Sequence, residues 1–185
     1  MCGRYLFTPQ EIASLKRIYE LALAAGKNVK TGEVFPSDTT AVIVAQDQKV
    51  AVSGMPWGFP GFKGSQLIIN ARSESVNHKR FFKHAFKETR CVFPMTGFYE
   101  WNRQKSKFLF TLSQNPVFVC GFYRYFTIGE RSIILTTAAN DSVSPIHDRM
   151  PLLLPKKLIK TYLMDSDFAT NYLTASMPAL AIHDS

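Results

Sequence analysis

Val117-Phe118-Val119-Cys120-Gly121-Phe122-Tyr123 is followed, after a polar break, by Ser132-Ile133-Ile134-Leu135-Thr136-Thr137. Both runs are short, rich in β-branched and aromatic side chains, and separated by turn-forming residues, the composition of strands rather than helices. On their N-terminal side similar runs recur at residues 41–45, 50–53, 67–69, 91–93, 98–101 and 108–112. So many strands predict a substantial sheet or barrel-like core. Helical signals are fewer. Thr8-Pro9-Gln10-Glu11 has the form of a capping box with proline at the first helical position, Ile12, Leu15, Tyr19 and Leu23 then recur at helical spacing, and Gly26 supplies a stop. Residues 75–87, rich in Lys, His and Phe, predict a second helix, and residues 156–163, after Pro155, a third. The expected class is α+β, with peripheral helices on a β core.

A chain of 185 residues with 46% hydrophobic side chains suits one compact domain, expected over 1–185. Its longest apolar stretches fall far short of the roughly 20 residues that cross a bilayer, and the N-terminus lacks the pattern of a secretory signal. Three cysteines, Cys2, Cys91 and Cys120, cannot all pair within the chain, and none forms the close pairs of common zinc sites. A reducing compartment is expected, the cytoplasm and nucleoid in a bacterium or the nucleus in a eukaryote, with no metal and no membrane partner. The formal charge of +8, from 22 Lys+Arg against 14 Asp+Glu, favours a polyanionic partner.

Cys91 and Cys120 sit inside apolar runs and are expected to be inert, buried thiols. Cys2 is different: near the chain end it is expected to be exposed, and removal of Met1 would leave an α-amine and a thiol on one residue. The amine, with an ordinary pKa of about 7.7–8.0, is partly neutral near pH 7 and forms imines with aldehydes. The thiol then closes a five-membered thiazolidine. Asn70, where an apolar run gives way to polar residues, has an amide able to position an amine or sugar hydroxyl, or simply to cap a turn. Glu100 shares one strand face with Phe98, a setting that favours a desolvated, proton-shuttling carboxyl, although a solvated strand-end glutamate has the same local sequence. His147, in the turn-rich Ser144-Pro145-Ile146-His147-Asp148-Arg149-Met150-Pro151, is the remaining proton-transfer candidate. His78, His84 and His183 are expected to be solvated. Arg4 and Arg72 each follow a candidate reactive residue by two positions, within reach of flanking phosphates. The aromatic loop holding Trp57, Phe59 and Phe62 has the composition of a base-stacking platform, or of a core cover.

Taken together, Met1-Cys2-Gly3-Arg4, Pro36, Pro56-Trp57-Gly58, Asn70-Ala71-Arg72-Ser73-Glu74 and Pro94-Met95-Thr96-Gly97-Phe98-Tyr99-Glu100-Trp101, continuing with Gly121, Thr136-Thr137-Ala138 and His147-Asp148-Arg149-Met150-Pro151, resemble the SRAP (SOS response-associated peptidase) family of abasic-site processing proteins. The resemblance implies a β-barrel-like mixed-sheet core. It implies Cys2 as nucleophile, Asn70 and Glu100 positioning or protonating its amine and the sugar, and His147 assisting acid–base steps. DNA contacts are expected from Arg4, Trp57, Arg72 and Arg149, in a monomer acting without cofactor on single-stranded DNA that contains abasic sites. Gly58-Phe59-Pro60-Gly61-Phe62 departs from the family's usual Gly-Leu-Ile-Pro type of segment, and little after Met164 matches. The rival functions are a cysteine peptidase using Cys2, His147 and Asn70, acting at its own N-terminus or beyond, and a non-enzymatic single-strand binder.

Overall fold

The computed structural model describes residues 2–62, 66–113 and 115–185; Met1, and with it the question of its removal, lies outside them. Along the chain run β1 (Tyr5–Phe7), α1 (Ala13–Ala24), β2 (Gly32–Val34), β3 (Thr39–Gln46), β4 (Lys49–Pro56), β5 (Phe59–Pro60), β6 (Leu67–Ile68) and β7 (Asn70–Arg72). Then come α2 (Arg80–Glu88), β8 (Arg90–Met95), β9 (Gly97–Trp101), β10 (Lys107–Thr111), β11 (Val117–Phe126), β12 (Gly129–Ala138) and β13 (Arg149–Pro151). A 3-10 turn (Lys156–Leu158), α3 (Ile159–Met164), α4 (Ser166–Tyr172) and β14 (Ala181–Asp184) complete the order.

One sheet has the order β13-β12-β11-β8-β3-β4, with β7 pairing parallel to β12, and a second has the order β14-β10-β9-β1-β2. The first sheet curls: at the end of β4, Trp57 bridges to Ser132 of β12, and Gly58 N–H donates to Ser132 O at 2.8 Å. This is the expected α+β arrangement with a barrel-like mixed core.

The decisive runs read as continuous apolar stretches because their sheet is covered on both faces. Val117 and Val119 face the core shared with the second sheet, whereas Phe118, Cys120 and Phe122 face the layer containing α2, α3 and α4. Gly121 lies where the strands crowd: a Cβ there would stand 2.5 Å from Ile133 O and 2.6 Å from Phe93 Cε2. Arg90, 6% exposed, ties the helical layer to the sheet by donating to carbonyls at the ends of α2 and α3, including Phe86 O and Leu163 O at 3.1 Å each.

Two helix expectations shift. The Thr8–Glu11 segment makes only a turn, and α1 begins at Ala13 after an extended Ile12. The Thr8 hydroxyl is occupied elsewhere, 2.8 Å from Thr96 Oγ1 and 2.9 Å from Glu11 Oε2, so it caps no helix amide. The stop at Gly26 forms as expected: with φ +72, Gly26 N–H donates to Leu23 O and Lys27 N–H to Ala22 O, both at 2.9 Å, a Schellman motif. The second helix starts five residues later than expected, at Arg80, and α4 and β14 were not anticipated. His183 is exposed, as expected, although it lies on β14 with Nε2 3.0 Å from Thr111 Oγ1. Among the described residues no helix is long and apolar enough to cross a membrane.

Candidate active site

Four elements bring Cys2, Asn70, Glu100 and His147 together. Cys2 lies three residues before the start of β1, which pairs with β9 (Tyr5↔Phe98), so the polar end of β9 carrying Glu100 runs beside the N-terminal segment. Tyr99 N–H donates to Arg4 O at 3.0 Å and fixes that alignment. Asn70 opens β7, held parallel to β12 by Asn70↔Ile134. His147 comes from the connection between β12 and β13, closed by Ala139 N–H to Asp148 O at 3.0 Å. Asn70 Nδ2 donates to Cys2 O at 2.8 Å, and His147 Nε2 stands 3.9 Å from Glu100 Oε2. Asn70 Oδ1 is buried and has no hydrogen-bond donor among the described residues, which leaves an acceptor beside Cys2.

Glu100 is 2% exposed, and burial pushes its carboxyl above the ordinary range against the pull of charge on His147. A proton held there is available nearer neutrality than on a surface glutamate. His147 Nδ1 has partners for either protonation state: Arg149 N–H donates to it at 3.0 Å, and Asp148 Oδ1 lies 3.0 Å away to accept when the ring is charged. With Nδ1 accepting, the neutral ring carries its proton on Nε2, the nitrogen facing Glu100.

Cys2 departs from expectation: it is fully buried rather than exposed. The Asn70 hydrogen bond and packing in the cluster with Tyr5, Trp57 and Phe98 draw the chain end into the core. Burial, helped by the Glu100 charge, pushes the thiol far above its ordinary range, and Sγ contacts Arg4 O at 3.8 Å. Cys91 and Cys120 are buried and free, as expected.

Beside this group a cavity of about 690 Å³ is lined by Asn70, Arg72, Thr136, His147 and Arg149 and extends to Phe62, Lys79, Arg80 and Phe81. Some of the cations and rings expected at this surface are placed elsewhere. Arg72 is exposed on the cavity wall without an ion pair among the described residues. Arg149 is instead forked onto Glu74 at 2.6 and 3.0 Å and donates to Thr136 O at 2.8 Å, so it anchors the His147 loop. Arg4 turns to Glu33 at 3.3 Å and lies over the rings of Phe35 and Trp101, 4.2 and 5.1 Å from their centroids. Trp57 is fully buried, donates Nε1–H to Ile69 O at 3.0 Å, and packs on Tyr5; it is a core residue and presents no stacking face. Phe59 is also buried, whereas Phe62 is 78% exposed, 4.8 Å from the Phe81 centroid. Phe81, Lys79 and Arg80 escaped sequence reasoning, although the basic, Phe-rich run 79–82 carried their signal.

A curled mixed sheet that folds a chain-end thiol in among a carboxamide, a carboxyl and an imidazole defines an α+β protein with a thiol-centred polar site. The family model described as SOS response associated peptidase (SRAP) matches residues 1–183, and the chain belongs to that family. It is 28% identical over 189 residues to the abasic site processing protein YoqW of Bacillus subtilis, covering 94% of this chain and 84% of that one. It is 26% identical to YoaM of the same organism, also an abasic site processing protein, covering 94% and 83%. A crystal structure of a protein from Bordetella bronchiseptica has the same fold, with a TM-score of 0.79 at 20% identity, over 100% of this chain and 99% of that one.

Proposed function

We propose that this protein processes abasic sites in single-stranded DNA by trapping the ring-opened sugar on Cys2. The carrying observation is the hydrogen bond from Asn70 Nδ2 to Cys2 O at 2.8 Å, which sets the N-terminal residue beside the Glu100–His147 pair and the cationic cavity. The relatives' description as abasic site processing proteins supports the same chemistry.

With Met1 removed, the Cys2 α-amine attacks the sugar aldehyde, forming the C=N bond of an imine and releasing water. Glu100, whose raised pKa keeps a proton available, protonates the departing hydroxyl. The thiol then adds across C=N: carbon bonds sulfur, and the sulfur's proton passes to nitrogen, closing a thiazolidine. The imine nitrogen takes the thiol's proton, so the thiolate that adds to the activated carbon is generated within the imine itself and no separate base is needed. Asn70 holds the Cys2 backbone, and His147 exchanges protons with Glu100. Arg72, Lys79 and Arg80 offer charge to flanking phosphates, and Phe62 and Phe81 offer faces to unpaired bases. The peptidase reading is less well supported: it needs a thiolate paired with an imidazole, whereas burial favours the Cys2 thiol and His147 faces Glu100.

The test is incubation with an oligonucleotide containing one abasic site, followed by denaturing electrophoresis and intact mass. A heat-stable adduct with loss of one water is expected when Cys2 is the first residue. An uncleaved tag before Cys2, which turns the amine into an amide, should prevent it. The same dehydrated adduct from the blocked protein would overturn the mechanism.

A further inference from the structure

We infer that the groove between α1, the β3–β4 edge and α3 is a docking surface for an acidic amphipathic helix of a partner protein. Leu15 and Ala22 are the residues α1 buries in the core, but the helix carries a second apolar stripe. Ile18, which also packs partly against the core, Leu21 and the C-cap residue Ala25 fall at i, i+3 and i+7 and line a groove of about 710 Å³ whose floor includes Ile43 and Val50. Leu21 and Val50 are 40% and 45% exposed and lie in one groove, a contiguous apolar patch. The rim is cationic: exposed Lys156, Lys157 and Lys160 line it from the 3-10 turn and α3, with no ion pair among the described residues. Arg17 joins them from α1, 3.9 Å from Glu20.

An aliphatic floor between two helices with a positive rim complements a helix that presents leucine-like anchors on one face and carboxylates beside them. Two other occupants fit less well. Nucleic acid requires aromatic faces for unpaired bases, and the groove's one ring, Phe118, is 2% exposed. A second copy docked through the same face would bring both sets of lysines together. The groove shares no lining residue with the cavity beside Cys2, so its occupancy is separable from adduct chemistry.

The probe is a fluorescein-labelled designed peptide of about four helical turns, with leucine at i, i+3, i+4 and i+7 and glutamate elsewhere, titrated by anisotropy with the full chain. Saturable binding is expected. It should weaken about tenfold or more in Leu21→Asp, in Val50→Asp and in the triple Lys156→Glu/Lys157→Glu/Lys160→Glu, while all variants still form the abasic-site adduct. Two single-site variants on different elements, checked by circular dichroism, separate a lost contact from a lost fold. The proposal is overturned if the peptide does not bind, if replacing its leucines by serine leaves affinity unchanged, or if the variants bind it like wild type. It is equally overturned if the triple variant instead loses single-stranded DNA binding, or if light scattering shows a dimer that Leu21→Asp dissolves.

Discussion

Cys2 and Cys120 are equally buried, and burial pushes both thiols well above their ordinary range, yet their surroundings differ in kind. Cys120 lies in β11 in the cluster that holds Phe82, Phe122 and Leu152, and its hydrogen-bonding neighbour is the Tyr162 hydroxyl, which burial also keeps protonated. Cys2 has the Asn70 amide on its carbonyl, the Glu100 carboxyl acting on its thiol, and a cavity opening past Asn70 and His147. Exposure therefore does not separate the cysteine proposed to react from the one expected to be inert. Neighbouring polar groups do, together with the α-amine that Cys2 would own once Met1 is removed.

The largest expected effect tests that contrast directly. Cys2→Ala should abolish the heat-stable adduct while leaving noncovalent affinity for single-stranded DNA intact. Cys120→Ala should retain the adduct and lose about 1–2 kcal/mol of stability from the cavity left between sheet and helices, read as a lower midpoint in urea. Adduct formation by Cys2→Ala at the wild-type level would erase the distinction between the two sites.

Next in size is Glu100→Gln, which should slow adduct formation about a hundredfold, the scale of a lost general acid. Its effect on stability should have the opposite sign. The folded-state pKa of Glu100 is raised, so below its unfolded pKa the carboxyl is protonated in both states and imposes no penalty. As pH rises through the ordinary carboxylate range toward the folded pKa, the unfolded chain ionises more readily and stability falls. Glu100→Gln should accordingly melt higher than wild type at pH 7, with the gap closing toward pH 4. A gap that widened on acidification would mean the folded protein favours the ionised carboxyl. Asn70→Ala should come third, slowing the adduct about tenfold by releasing one positioning hydrogen bond; unchanged kinetics would leave Asn70 a purely structural tie.

The same contrast governs how much was readable in the sequence. Long strands such as β11 and β12 were legible because a sheet covered on both faces leaves uninterrupted apolar runs, whereas β1, β7 and β13, three residues each, carry no period at all. Those short strands are the ones that assemble the site. The residue types of Cys2, Asn70, Glu100 and His147 pointed to the chemistry proposed for them. Their convergence depended on pairings across the chain, and the resemblance to SRAP proteins supplied what local spacing lacked. Burial of Cys2 and Trp57, and the pairing of Arg149 with Glu74, depend on partners distant in sequence. Thr8 misled for the same reason, since its hydroxyl is held by Thr96 from the bend between β8 and β9.

The smallest expected effect separates two arginines that sequence placed in the same role. Arg72 stands exposed on the cavity wall, whereas Arg4 is paired with Glu33, which also takes Lys107, and lies against two aromatic rings. A guanidinium that neutralises a phosphate releases a counterion, and for single strands each such contact contributes about 0.7 to the slope of log affinity against log salt. Arg72→Ala should lower that slope by about this amount and weaken binding only a few-fold at moderate salt. Arg4→Ala should leave the slope unchanged and cost about 1 kcal/mol of stability, since what it loses is a partly screened ion pair and stacking within the protein. Fluorescence anisotropy with an undamaged single strand, at several salt concentrations, isolates this term because no covalent step intervenes. A reduced slope for Arg4→Ala with an unchanged one for Arg72→Ala would reverse the assignment and place the phosphate track along β1 instead of along the cavity from Arg72 toward Arg80.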